Sequence, residues 1–258
     1  MDNLLSKEFQ IASYQLDPRK QARLTALASL FQEMAYQHAS LLGFGYNDLK
    51  KNRTMWVLSR LRIKIHRYPV WDEVVKVETW HRGMEKLFGI RDFRIRDQAG
   101  DAIAVASSAW LIVDMASRRP VRADDQILQR SRREESVFGD PLNKIELSYE
   151  NKELGSHAVL YSDLDVVGHV NNVKYIEWCI DHAQPAGSVD AEIAEFEINF
   201  MNEALPGDRV AIYKNVQPGN LSYFTARKNN DDREIFRARL RWKYIQGILY
   251  PMSARNNP

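Results

Sequence analysis

One cysteine, Cys179, is present in 258 residues, which excludes an intrachain disulfide and any structural zinc site built on several thiolates. No apolar run approaches the roughly 18 residues that a membrane-spanning helix needs. The opening MDNLLSKEFQ lacks the basic-then-apolar order of a secretory signal. Charge of one sign is scarce too: 36 Lys and Arg against 34 Asp and Glu leave a net charge of +2, too little to mark a nucleic-acid binder. A Gly-rich phosphate loop and a Gly-x-Ser-x-Gly nucleophile elbow are both missing, and no motif calls for a metal or a cofactor. These absences predict a soluble cytoplasmic protein, and 45% apolar residues are enough to give it a buried core.

What is present falls into two similar halves. From Arg19 to Leu42, residues Leu24, Leu27, Leu30, Phe31, Met34 and Ala35 recur at three- and four-residue spacing, which predicts a helix with one apolar face. Gly43 and Gly45 end it. In Arg60–His66 apolar residues alternate with charged ones, the pattern of a strand in a sheet with one wet face. Tyr68-Pro69 interrupts, and strands are predicted at Val74–Trp80, Phe88–Arg96 and Ala102–Asp114, with Gln98-Ala99-Gly100-Asp101 as a turn. The second half repeats the order. A helix is expected from Asn172 to about His182, closed by Pro185 and Gly187, then strands at Ala194–Met201, Arg209–Val216, Leu221–Lys228 and Glu234–Tyr244. A helix followed by four antiparallel strands, twice, predicts an α+β protein. The charged, aperiodic stretch from Ser117 to Asn143 reads as a linker of solvated charge, dividing the chain into units 1–140 and 141–258.

The stretch from Ser162 to Tyr175 carries Asp163, Asp165, His169, Asn171 and Asn172 immediately ahead of the second helix. A lone Asp or Asn there is ordinarily a helix cap. Capping needs one such residue, so several within ten positions single the segment out. Helix N-termini present unpaired N–H groups and partial positive charge, suited to a developing oxyanion. Gly168 allows close approach of backbone to a ligand. In the first half, Leu16-Asp17 echoes Leu164-Asp165, but nothing like Gly168-His169-Val170-Asn171-Asn172 follows. One working site per chain is therefore expected, in the second half. Cys179 beside Trp178 reads as a small buried thiol. His157, Ser162 and Asp163 lack the elbow that a serine nucleophile requires.

Asp163-Leu164-Asp165 and Gly168-His169-Val170-Asn171-Asn172-Val173-Lys174-Tyr175-Ile176 resemble the signature of the acyl-acyl carrier protein thioesterases in their bacterial form. Trp56-Val57-Leu58-Ser59-Arg60, Arg67-Tyr68-Pro69 and Ala106-Ser107-Ser108-Ala109-Trp110 are similar to segments of the plant fatty acyl thioesterases, in the same order, from about Phe9 to Tyr250. The resemblance implies two tandem hotdog units, each an antiparallel sheet wrapped around a long helix, the first serving as scaffold and acyl-tunnel wall around Leu24–Phe31 and Met55–Leu61. It implies hydrolysis of fatty acyl-acyl carrier protein without a cofactor, with acyl carrier protein as partner and neither nucleic acid nor membrane involved. The catalytic set it implies is Asp165, His169 and Glu203, with Gly168 and Asn171 at the substrate and Asp165 as nucleophile or base. Backbone N–H groups near Gly168 and His169 would hold the oxyanion. Ala204 replaces a cysteine of plant members, and Val167 stands where the plant pattern has an asparagine, so the plant mechanism does not transfer whole. Asn171 is left either to take part of that role or to cap the helix. The alternatives are an acyl-CoA thioesterase, a hotdog dehydratase and a non-catalytic acyl-binding protein. Two hotdog units in one chain can pair internally, and a further homodimer of chains is compatible with that.

Overall fold

The computed structural model describes residues 3–122, 132–147, 152–183 and 191–244. Pro185 and Gly187, expected to close the second helix, and Arg130 of the expected linker lie outside the described residues. In the first half, strand β1 (Leu5–Gln10) leads to helix α1 (Leu24–Leu41), a short helix α2 (Tyr46–Lys51), and strands β2 (Thr54–Ile65), β3 (Val74–Glu85), β4 (Phe88–Arg96) and β5 (Ala102–Asp114). The second half runs β6 (Lys152–Ala158), α3 (Asn172–Ala183), β7 (Ala191–Phe200), β8 (Arg209–Gln217), β9 (Leu221–Lys228) and β10 (Glu234–Tyr244). The ten strands form one sheet in the order β1-β3-β4-β5-β2-β7-β10-β9-β8-β6. Each set of five follows the same permutation, so the duplication expected from the sequence is the architecture found.

Three elements leave little trace in the sequence. β1 offers only Leu5 and Phe9 as apolar residues, and β6 is polar with Gly155 inside it. Both are edge strands, where charge is tolerated and protects against pairing with other chains. Helix α2 has six residues, too few to display a period. Helix α1 starts at Leu24 rather than Arg19 because residues 17–23 are held in a turn built on Asp17.

The seam between the halves explains the alternation in β2. Antiparallel pairing sets Ile63 against Phe196 and Leu61 against Ile198 on the inner face, and Arg62 against Glu197 and Lys64 against Glu195 on the outer. Arg62 Nε lies 3.2 Å from Glu197 Oε1. Such cross-strand pairs fix register, since a one-residue slip would turn Ile63 and Phe196, both fully buried, out to water. Both helices pack on the inner face, and one continuous core includes Phe31 and Met34 of α1, Ile176 and Cys179 of α3, and Phe224 and Phe236 of the far strands. Each fully buried side chain of this size contributes about 1.5–3 kcal/mol.

The charged stretch expected to be a solvated linker is, in its described part, a strap across the outer face. Glu135 O accepts from Trp80 Nε1 (2.7 Å), and the Val137 N–H donates to buried Asp92 Oδ2 (3.0 Å). Further along, the Ile145 N–H donates to Asn199 Oδ1 (2.6 Å) and Ile145 O accepts from Arg237 Nη1 (3.1 Å). The strap thus passes from β3 and β4 to β7 and β10. Glu135 pairs with Arg94 of β4 and Asp140 with Arg62 of β2, contacts that composition could not reveal.

Candidate active site

Asp165 opens a tight turn ahead of α3. Its N–H donates to His169 O (2.8 Å), and the Gly168 N–H donates to Asp165 O (3.0 Å). Asp165 Oδ1 accepts from the N–H groups of Val167 (2.9 Å) and His169 (3.2 Å). Gly168 adopts φ +81°, a left-handed conformation that glycine reaches without steric cost. A Cβ there would meet nothing within 4 Å, so the glycine serves the turn. The carboxylate is therefore fixed through one oxygen, and among the described residues no donor reaches the other, Oδ2.

The first half builds the same turn from different residues. The Asp17 N–H donates to Gln21 O (2.8 Å) and the Lys20 N–H to Asp17 O (3.0 Å). Asp17 Oδ1 accepts from the N–H groups of Arg19 (2.8 Å) and Gln21 (3.1 Å). Lys20 occupies the left-handed corner at φ +62°. Asp17 corresponds to Asp165, Arg19 to Val167 and Gln21 to His169. The backbone duty of the aspartate thus belongs to the fold in both halves. The difference lies at the second oxygen: Arg19 Nε closes on Asp17 Oδ2 at 3.0 Å, whereas Val167 has no polar side-chain atom. In the second half, among the described residues, the carboxylate keeps a free oxygen, and a histidine takes the place of Gln21 in the turn.

His169 Nδ1 comes within 3.6 Å of Glu203 Oε1. Glu203 follows β7, and the same oxygen is paired with Arg118 from the turn after β5. Arg118, expected to be linker charge, instead reaches across from the first half to orient the glutamate. Its turn is held by Asp114 Oδ1, which accepts from the N–H groups of Ala116 (3.1 Å) and Ser117 (2.7 Å). A partner 85 residues away leaves no local pattern to read. Tyr175, one turn into α3, secures the other side, since the N–H of buried Ala204 donates to its hydroxyl oxygen (3.0 Å). Burial pushes the Tyr175 phenol well above its ordinary range, with the carboxylates of Glu203, Asp208 and Asp165 adding to the shift. Tyr175→Phe strips a buried N–H of its partner. We expect it to lower the unfolding free energy by about 1–3 kcal/mol, read as a drop in the urea midpoint at constant m value.

The remaining candidates separate into structural and exposed groups. Asn171 Oδ1 accepts from the Val173 N–H (3.0 Å), so Asn171 caps α3 through its side-chain oxygen. The N–H groups of Gly168 and His169, expected as oxyanion donors, are spent inside the turn. The free donors are those of Asn172, the first residue of α3, whose N–H has no intrahelical acceptor. Asn172, Val173 and Ile176 line a small apolar cavity with Ala28 and Phe31 of α1, Leu58 and Leu61 of β2, and Phe93 and Ser108 of β4 and β5. Its volume of about 20 Å³ accommodates a single water. Asn172 was legible only as part of the His-Val-Asn-Asn string. His157 Nε2 lies 2.9 Å from Asp163 Oδ2, which also accepts from the Leu160 N–H (2.8 Å). With Ser162 exposed, that pair braces the turn at 161–163 and activates no serine. Cys179 is buried, as its surroundings predict, and burial pushes its thiol well above the ordinary value.

Residues 2–130 match the acyl-ACP thioesterase N-terminal domain, and residues 145–244 match the acyl-ACP thioesterase C-terminal domain. The chain belongs to the acyl-ACP thioesterase family. It is 29% identical over 227 residues to oleoyl-acyl carrier protein thioesterase 2 of Arabidopsis thaliana, covering 79% of this chain and 60% of that protein. It is 31% identical over 208 residues to a palmitoyl-acyl carrier protein thioesterase of the same plant, covering 74% and 50%. The chain thus spans one half to three fifths of the length of these plant relatives. An acyl-ACP thioesterase of Bacteroides thetaiotaomicron superposes with a TM-score of 0.86 at 26% identity, covering 94% of this chain and 98% of that one. The 12:0-ACP thioesterase of Umbellularia californica shares the fold, with a TM-score of 0.84 at 24% identity over 95% and 98% of the two chains.

Membership of the acyl-ACP thioesterase family sharpens the meaning of position 167. A plant-type asparagine there would sit two residues beyond Asp165, where Arg19 sits beyond Asp17. Position 167 therefore decides whether the free carboxylate oxygen has a side-chain neighbour, and in this chain valine, which has no polar side-chain atom, leaves it none among the described residues. Among the described residues, no helix is long and apolar enough to cross a membrane.

Proposed function

We propose that this protein hydrolyses the thioester between a fatty acyl chain and the phosphopantetheine arm of acyl carrier protein. The products are the free fatty acid and the carrier thiol. The observation that supports this reading is the His169–Glu203 contact at 3.6 Å beside the Asp165 turn, which leads into the first turn of α3, where Asn172, Val173 and Ile176 line an apolar cavity walled by the first half. Asp165 Oδ2 is the reactive oxygen, acting as base toward the attacking water or as the attacking atom itself. His169, oriented by Glu203, which Arg118 holds in turn, protonates the departing sulfur. The N–H groups of Asn172 at the start of α3 receive the charge that develops on the carbonyl oxygen. The acyl chain enters between α1 and the first-half sheet, and side-chain movement at Phe31 and Leu58 widens the cavity to admit it.

The choice of carrier protein over coenzyme A is supported by a basic rim. Lys50, Lys51, Arg53, Arg118 and Arg119 are exposed, and the Met115 N–H donates to Arg53 O (2.9 Å), which draws the α2 end and the β5 turn together beside Glu203. Carrier proteins are acidic, and such complementarity raises association rates in a salt-dependent way. The test is release of free thiol from matched acyl-carrier-protein and acyl-CoA substrates. We expect kcat/KM about tenfold or more in favour of the carrier protein at low salt, narrowing as ionic strength rises. Equal values at all ionic strengths would reassign the head group to coenzyme A. Acyl binding without thiol release would remove hydrolysis altogether.

A further inference from the structure

The first-half interior contains a polar cluster that hydrolysis does not use. Arg91 of β4, His38 near the end of α1, and Thr79 and His81 of β3 are all buried. Arg91 Nη1 donates to His38 Nδ1 (2.7 Å) and to Thr79 Oγ1 (3.3 Å). A guanidinium can only donate, so His38 Nδ1 accepts and the ring proton resides on Nε2. Among the described residues that buried Nε2 has no partner, and neither has His81 Nε2. Burial alone lowers Arg91 to about 9, and with its charge also lowers both histidines to about 3. Both rings are therefore neutral at physiological pH. The adjacent carboxylate, Asp92, points to the opposite face, where the strap covers it. A cation buried with no anion among the described residues, next to two unsatisfied ring nitrogens, is an arrangement that needs a reason.

The cluster continues the surface that lines the apolar cavity. Arg91 is two residues from Phe93 on the same face of β4 and directly opposite Ser108 of β5. Both Phe93 and Ser108 line the cavity, and Ser108 Oγ donates to Arg91 O (3.3 Å). Along α1, His38 lies two turns beyond Phe31, about 10 Å further from the site at Asn172. Phe44 closes the far end, its ring 5.4 Å from His81 and 6.2 Å from Trp56. Phe93 and Ser108, which line the cavity, are the residues that join it to the cluster.

We propose that Arg91, His38 and His81 form the distal end of the acyl site and select chains carrying a hydroxyl or oxo oxygen in their distal half. This rests on the acyl-thioesterase reading above. A distal hydroxyl accepts from the guanidinium or from His38 Nε2 and donates to His81 Nε2, satisfying what a terminal methyl group leaves unpaired.

The experiment compares carrier-protein thioesters of a plain twelve-carbon chain with the same chain hydroxylated on the third, tenth or twelfth carbon. It is run beside direct binding of the corresponding free acids. We expect the tenth- or twelfth-carbon hydroxyl to raise both kcat/KM and acid affinity about tenfold over the plain chain, while the third-carbon hydroxyl does neither. Arg91→Met and His38→Leu should each bring that ratio toward one by losing the hydroxylated chain. Should Arg91→Met fail to fold, His38→Leu and the wild-type ratio decide. Equal affinity for plain and distally hydroxylated acids would overturn the proposal and leave the cluster holding only water. Distal preference in binding with no thioester cleaved would uphold the site while sinking the hydrolytic reading.

Discussion

Asp165→Asn is expected to lower kcat/KM for thioester hydrolysis by about a hundredfold to ten-thousandfold, with the thermal midpoint nearly unchanged. Asparagine retains a side-chain oxygen that can accept from the Val167 and His169 N–H groups as Asp165 Oδ1 does, so the turn survives. What disappears is the negative charge on the free second oxygen, without which the residue neither deprotonates water nor attacks a carbonyl. The first half supplies the control. Asp17 holds the same turn and has its second oxygen closed by Arg19, so Asp17→Asn should leave turnover intact. Steady-state thiol release from both variants, with a melting curve for each, checks the pair. Near wild-type hydrolysis by Asp165→Asn would take the carboxylate out of the chemistry.

His169→Gln should lose activity on a similar scale, about a hundredfold to ten-thousandfold, again with the fold retained. The protein itself supplies the precedent: Gln21 occupies the equivalent place in the first half, and the turn closes around it through the same backbone bonds. Glutamine removes the ring nitrogen that faces Glu203 at 3.6 Å and cannot cycle a proton near neutral pH. A kcat-against-binding split separates this from a loss of structure. Turnover should fall while binding of fatty acid and the melting curve persist. If fatty-acid binding and the thermal midpoint fall together with turnover, the loss is structural and His169 is not placed in the chemistry.

Both predictions depend on a comparison that the sequence hinted at and left incomplete. Leu16-Asp17 and Leu164-Asp165 look alike in sequence, but only backbone geometry makes Lys20 the counterpart of Gly168 and Gln21 that of His169. Asp165, His169 and Glu203 were legible as candidates, the first two through their place ahead of α3 and the last through family likeness. Arg118 was not, nor was Tyr175 as the anchor of Ala204. Their contacts join segments far apart in the chain, and pairs of that kind leave no period or spacing in sequence. Asn171 and Asn172 were legible as a pair but not in their division of labour, because cap and free donor differ by a single step at the helix start.

The two long helices, the eight strands other than the edge strands β1 and β6, and the doubling of the chain follow from residue order alone, since periods of 2 and 3.6 are local properties of the backbone. The tertiary structure decided the rest. It joined β2 to β7 so that two units share one sheet and one core, laid a charged strap over the outer face, and set an arginine from one half against a glutamate of the other. It also buried Arg91 with two histidines and, among the described residues, no anion. The physical reason is the same in each case: charge pairing and desolvation depend on distances through space, which only folding sets.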